Sequence, residues 1–200
     1  MNIILFGPPG AGKGTQSRYL VEKLDCFQIS TGDMLRSEIE NDSEIGKKIV
    51  DNMNEGKFVN DEIVNNLIKD VLFNPQKKNK LIFDGYPRSL SQAKNLEVLL
   101  DSSNQKIDFI FFLNVNKNTI VKRIEKRKIL EKRSDDDLKT ILKRYDTYME
   151  TTRPVLDFYS TNSNFYEIDG TLEIDQITSK INDILQVEDV DFRTSYYIKG

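Results

Sequence analysis

Short apolar runs alternate along the chain with longer stretches of helical period. Residues 2–6, 27–29, 81–84, 109–113 and 165–168 read as buried strands. Between them, Ile63, Leu67 and Val71 share one helix face behind Asp61, which stands as the N-cap. Ile120 and Ile124 repeat at the same spacing, as do Leu138, Ile141, Leu142 and Tyr145, and then Ile174, Ile177, Ile181 and Leu185. Strands alternating with amphipathic helices predict an α/β fold of βαβ units on a five-stranded parallel sheet. The gap at 30–80 is too long for one crossover helix and should hold a small helical subdomain, punctuated by Gly46 and Gly56. The final stretch, "VEDVDFRTSYYIKG", has no helical period and reads as a tail; no repeat or low-complexity linker interrupts the chain.

Composition narrows the function classes. Two hundred residues, 38% hydrophobic and 30% charged, suit one soluble, well-packed domain. A net charge of −3 argues against an electrostatic nucleic-acid binder. One cysteine, Cys26, and no histidine rule out an internal disulfide and a cysteine-rich zinc site, so any metal is expected to be a hard ion on oxygen ligands. The opening "MNIILFG" is too short an apolar run for a signal peptide or membrane span, which makes a cytoplasmic location the expectation.

Chemistry enters at "GPPGAGKGT", residues 7–15, directly behind the first strand. A glycine-rich strand-to-helix turn aims backbone N–H groups and the positive end of a helix at one anion. Pro8 and Pro9 have no N–H to offer, so the phosphate cradle is assigned to Gly10, Ala11, Gly12, Lys13, Gly14 and Thr15, with Lys13 bridging the outer phosphates. The pattern departs from G-x-x-x-x-G-K-[ST] in one respect: Gly14 follows the lysine and the hydroxyl comes one residue late, at Thr15. No "NKxD" occurs, which argues against a GTPase.

The arginines form a second signal, because the chain has twenty lysines and only nine arginines. Arg36 follows "STGDML", Arg88 ends "DGYPR", Arg123 and Arg127 stand one helical turn apart, Arg133 opens "RSDDD", and Arg144 lies on the next amphipathic helix. Planar guanidinium forks bind phosphate oxygens bidentately, and an enzyme that joins two polyanions needs them more than it needs a general base. Arg18, Arg153 and Arg193 read as ordinary surface charges.

Taken together, "GPPGAGKGTQ", "ISTGDMLR", "GKFVNDEIV", "FDGYPRSLSQA", "RSDDD" and the "DGT" at Asp169 resemble the adenylate kinases, from Met1 to about Gln186. The GKGT form of the loop is the one this family uses. The resemblance implies a P-loop three-layer sandwich, with an AMP-binding helical insertion at 30–59, a short lid at 126–136, core segments at 1–29, 60–125 and 137–186, and a tail at 187–200. It implies reversible, magnesium-dependent phosphoryl transfer from ATP to AMP, giving two ADP. Residues 10–15, Arg123, Arg127 and Leu172 would then bind ATP. Thr31, Arg36, Lys57, Phe58, Val59, Gly85, Tyr86, Pro87, Arg88 and Gln92 would hold AMP. Lys13, Arg88, Arg123, Arg133 and Arg144 would serve the transfer, the last two closing over both nucleotides. Asp84, helped by Asp33, would orient waters on the magnesium; otherwise Asp84 is a turn former ahead of Gly85. Gln92 would read adenine, or else only cap the helix that starts near Leu90. Only "KILEK" separates Arg127 from Arg133, so the lid resembles the short form, without a zinc cage. Pyrimidine monophosphate kinases share this scaffold, and a catalytically silent nucleotide binder remains the alternative from another class. By analogy the protein is a monomer whose partners are ATP, AMP and ADP, with no nucleic acid and no membrane among them.

Overall fold

A computed structural model describes the backbone of residues 1–131 and 138–197, and the side chains of 1–125 and 138–186. The five strands are β1 (Asn2–Phe6), β2 (Phe27–Ser30), β3 (Leu81–Asp84), β4 (Phe109–Asn114) and β5 (Phe165–Asp169). They form one sheet in the order β2-β3-β1-β4-β5, and every neighbouring pair is parallel. The apolar runs at 2–6 and 81–84 are strands over those same residues; the other three strands run one residue further than the apolar pattern.

Parallel sheets need cover on both faces, and alternation along each strand divides the core accordingly. Ile4, Phe6, Phe83, Ile110 and Phe112 face one layer, with Ile68 and Leu72 of α4 (Asp61–Leu72), Leu96 of α5 (Leu90–Ser102) and Tyr159 of α8 (Arg153–Tyr159). Ile3, Leu5, Ile82, Phe111 and Leu113 face the other. There they meet Leu20 of α1 (Lys13–Leu24), Ile120 and Ile124 of α6 (Lys117–Glu131), Ile141 of α7 (Leu138–Thr147), and Ile177 and Ile181 of α9 (Ile174–Tyr197). The result is a three-layer α/β sandwich.

Between β2 and α4 the chain forms α2 (Thr31–Glu40) and α3 (Glu44–Asn54), which pack against each other. Ser30 and Ser43 cap them, each hydroxyl accepting a first-turn backbone N–H. Gly46 is required at their contact, since a Cβ there would lie 2.2 Å from the Glu38 carbonyl oxygen. Between α7 and α8 lies a π-helical segment, Tyr148–Thr152. One expectation fails: the backbone of α9 continues through Tyr197, so most of the stretch read as a tail is helical. Its polar-rich sequence hides the period because helical geometry does not require an apolar stripe.

Candidate active site

The loops that leave the carboxyl ends of β1, β2, β3 and β5 converge beside α6 and α7, where open parallel sheets place ligands. They enclose a cavity of about 770 Å³. Its floor is the turn behind β1. Gly10 and Gly12 have φ of 80° and 99°, conformations that glycine alone adopts without strain. Gly12 is the N-cap of α1 and no side chain caps that helix, so residues 12–15 present its positive end to the cavity. Lys13 Nζ donates to the carbonyls of Gly7 (2.8 Å) and Pro8 (3.2 Å), holding the ammonium over the turn.

Gly14 stands beside Asp84, for a Cβ there would sit 3.7 Å from Asp84 Oδ2. Asp84 closes β3, opposite Leu5 on one neighbour and Ser30 on the other, and Oδ2 accepts from Gln28 Nε2 at 3.1 Å. A single carboxylate oriented in this way, next to the phosphate cradle, suits an ion that arrives hydrated on a nucleotide. Among the described residues no group of three or more His, Cys, Asp or Glu could by itself cage a metal.

Arg36, Arg88, Arg123 and Arg144 all line the cavity. Arg88 Nε donates to the Gly85 carbonyl at 2.7 Å, Nη2 approaches Thr31 Oγ1 at 3.4 Å, and the guanidinium lies 5.2 Å from the Phe58 ring centroid. Burial pushes its pKa down to about 10, and the like charges of Arg144 and Arg36 add to the effect while Asp84 opposes it. A cation held near other cations in a cavity is a site prepared for a polyanion. Arg36 pairs with Asp33, one helical turn earlier. Arg123 forks between the Ala11 carbonyl (3.2 Å) and the Leu172 carbonyl (3.1 Å), tying the cradle to the loop after β5. Arg144 lies against the turn that follows α3, where a Cβ on Gly56 would stand 3.2 Å from its Cγ.

Most of the residues singled out from sequence meet here. Gly10 to Thr15, Asp33, Lys57, Phe58, Gly85, Pro87 and Leu172 are on the cavity wall. Thr31, Val59, Tyr86 and Gln92 are buried behind it, and Thr31 Oγ1 donates to the Gly85 carbonyl at 2.7 Å. The side chains of Arg127 and Arg133 lie outside the described residues. Arg18, read as a surface charge, lines the cavity instead, because the first turns of α1 face it.

Sequence reasoning passed over Gln16, Tyr148 and Thr152. Gln16 is buried, donates to the Ile174 carbonyl and accepts from Thr178 Oγ1. Thr152 Oγ1 donates to the Arg88 carbonyl at 3.0 Å, and burial raises the pKa of Tyr148 beside it. The π-helical turn that carries these two has no signature in residue type or spacing.

Comparison with known proteins agrees with this geometry. The family model "Adenylate kinase" matches residues 5–164. An adenylate kinase of Pelagibacter ubique is 50% identical over 213 aligned positions, covering 94% of this chain and all of that one. One from Mycoplasma mycoides is 41% identical over 215 positions, with 94% and 100% coverage. One from a Caulobacter species is 40% identical over 187 positions, with 94% and 99% coverage. A phosphate cradle behind β1, an arginine-lined cavity and relatives matched along almost their whole length lead to one conclusion: this chain belongs to the adenylate kinase family.

Proposed function

We propose that this protein catalyses reversible phosphoryl transfer from ATP to AMP, giving two ADP. The observation that carries the reading is the joining of the Gly10–Thr15 cradle to five arginines in one cavity, Arg36, Arg88, Arg123 and Arg144 among them. Such a site can bring two polyanions together and stabilise the charge that spreads over the group in flight. Residues 10–15, Arg123 and the Leu172 backbone are assigned to ATP, together with Arg127. Arg36, Lys57 to Val59, Gly85 to Arg88, Thr31 and Gln92 are assigned to AMP. Lys13, Arg88, Arg123, Arg133 and Arg144 are assigned to the transferring group. Arg88 supports this best: its repulsion from Arg36 and Arg144 is relieved when a phosphate lies among them.

Magnesium would be held through water by Asp84, with Asp33 nearby, and when bound would neutralise phosphate charge and align donor and acceptor. No zinc is assigned. The insertion at 30–59 and the lid at 126–136 would close over the nucleotides and exclude water, so that ADP forms in place of hydrolysis. The expected setting is a cytoplasmic monomer, by family analogy; among the described residues no helix is long and apolar enough to cross a membrane.

A coupled assay of ADP release with AMP, CMP and UMP at saturating ATP tests the reading. AMP should give the highest kcat/KM. A pyrimidine nucleotide that matches it makes this a pyrimidine or broad-range monophosphate kinase, and no turnover with any of the three makes it a nucleotide binder.

A further inference from the structure

The amide of Gln92 is held at both ends by the protein. Nε2 donates to Asp61 Oδ1 at 2.6 Å, while Oε1 accepts from the Arg88 backbone N–H at 2.7 Å. Asp61 opens α4, and its other oxygen, Oδ2, accepts from Ser89 Oγ at 2.7 Å. The same Ser89 Oγ accepts the Gln92 backbone N–H at 3.1 Å, as N-cap of α5. Asp61, Ser89 and Gln92 thus form a closed ring of three hydrogen bonds across two helices whose residues lie about thirty positions apart in sequence. Gln92 is 3% exposed, while Asp61 is partly open to solvent.

An ionised carboxylate only accepts and a backbone N–H only donates. The amide therefore has one orientation here, set by chemistry from both sides. A glutamine can make two bonds through its oxygen and two through its nitrogen, so one acceptor lone pair and one N–H remain to be filled. Donation to a charged carboxylate also polarises the amide and makes Oε1 a stronger acceptor.

We propose that Asp61 is a positioning residue for base choice: by clamping Gln92 it fixes an acceptor-plus-donor edge that selects a 6-aminopurine over a 6-oxopurine in the acceptor nucleotide. This rests on the reading that Gln92 faces the acceptor base. A 6-amino group donates toward Oε1 and the adjacent ring nitrogen accepts from Nε2. A 6-oxopurine presents the reverse pattern, an oxygen and a ring N–H, and a clamped amide cannot turn to meet it. Buried polar groups left unpaired make such discrimination large.

The test compares Asp61→Asn with the parent, using AMP and IMP as acceptors. The neutral amide can set either an oxygen or an NH₂ against Gln92, so the clamp is lost at the Nε2 end and only the Arg88 N–H still favours the orientation. KM for AMP should rise about tenfold, with kcat at saturating AMP and KM for ATP unchanged; kcat/KM for IMP should hold or rise, so the AMP/IMP ratio falls. Gln92→Ala should lower the same ratio, and Asp61→Asn added to Gln92→Ala should change AMP binding no further. An unchanged ratio in Asp61→Asn, or equal losses with both acceptors, overturns the positioning role. An unchanged ratio in Gln92→Ala overturns instead the assignment of Gln92 to the base. If Asp61→Asn does not fold, Asp61→Glu, which keeps the charge but shifts the carboxylate by one methylene, carries the same expectation and the same refutation.

Discussion

Lys13 and Arg88 are the cations whose surroundings say most about their work. Lys13 is held over the cradle by two backbone carbonyls, so its charge is delivered without searching rotamers. Lys13→Ala should lower kcat/KM by on the order of 10³ with folding intact, as loss of a preorganised charge on developing phosphate charge does. Thermal unfolding measured beside the steady-state rate separates the two effects, and a folded variant with near-parental activity would remove Lys13 from the transfer. Arg88 bonds the Gly85 carbonyl through Nε and reaches Thr31 through Nη2, which no lysine can reproduce. Arg88→Lys should therefore raise KM for AMP about as much as Arg88→Ala; a lysine variant that keeps most of its AMP affinity would show that only the charge matters.

Between elements, the decisive contacts are backbone to backbone. α2 and α3 approach so closely at Gly46 that an added Cβ meets the Glu38 carbonyl oxygen at 2.2 Å, its carbon at 2.6 Å and Ile39 Cα at 2.9 Å. None of these is a flexible side-chain end. Gly46→Ala should cost about 1–3 kcal/mol, the usual range for overpacking, and raise KM for AMP more than KM for ATP, because the damage falls in the 30–59 insertion. Equal effects on both nucleotides would mean that the two helices do not serve the AMP side. A second link joins the π-helical turn to the site: Thr152→Val removes the hydroxyl that Thr152 donates to the Arg88 carbonyl. That should cost about 1 kcal/mol, readable in a urea titration. The same elements show what could be read early. The Asp61 N-cap expectation was one residue late, since Asn60 caps α4 and Asp61 is its first residue. That offset frees the Asp61 carboxylate to reach α5, and no local pattern announces a partner thirty-one residues away.

For the molecule as a whole, alkaline stability follows from buried phenols. Burial raises the pKa of Tyr86 to about 12, and that of Tyr148 and Tyr159 above the ordinary value of 10.0. The folded chain keeps these protons while the unfolded chain gives them up from about pH 10, so their contribution is whole below that pH and lost as pH rises through the folded values. Tm should fall steeply above pH 10, with tyrosinate absorbance from these three rings appearing together with unfolding. Their ionisation in a still-folded chain would contradict the burial. Metal chelation gives the opposite expectation. With one cysteine, no histidine and five residues between Arg127 and Arg133, a zinc-selective chelator should leave Tm unchanged, and a drop of several degrees would reveal a structural metal.

The sequence by itself determined the parts that local chemistry dictates. Short apolar runs located five strands, since strands buried on both faces read as unbroken apolar stretches, and period-3.6 patterns located α4, α6, α7 and α9, since one dry face imposes that period on a helix. The cradle was legible because only glycine adopts φ of 80° and 99° at Gly10 and Gly12 without strain, and because a helix end behind a strand binds anions in any fold. Arginines stood out against a lysine-rich background. The tertiary structure alone decided which of them share a cavity, that Arg18 faces it too, and that a π-helical turn supplies Tyr148 and Thr152. It alone joined Asp61 to Gln92. Strand order, helix crossing and the meeting of loops are sums of many weak packing preferences, and a contact between distant residues depends on all of them at once rather than on any neighbour in the chain.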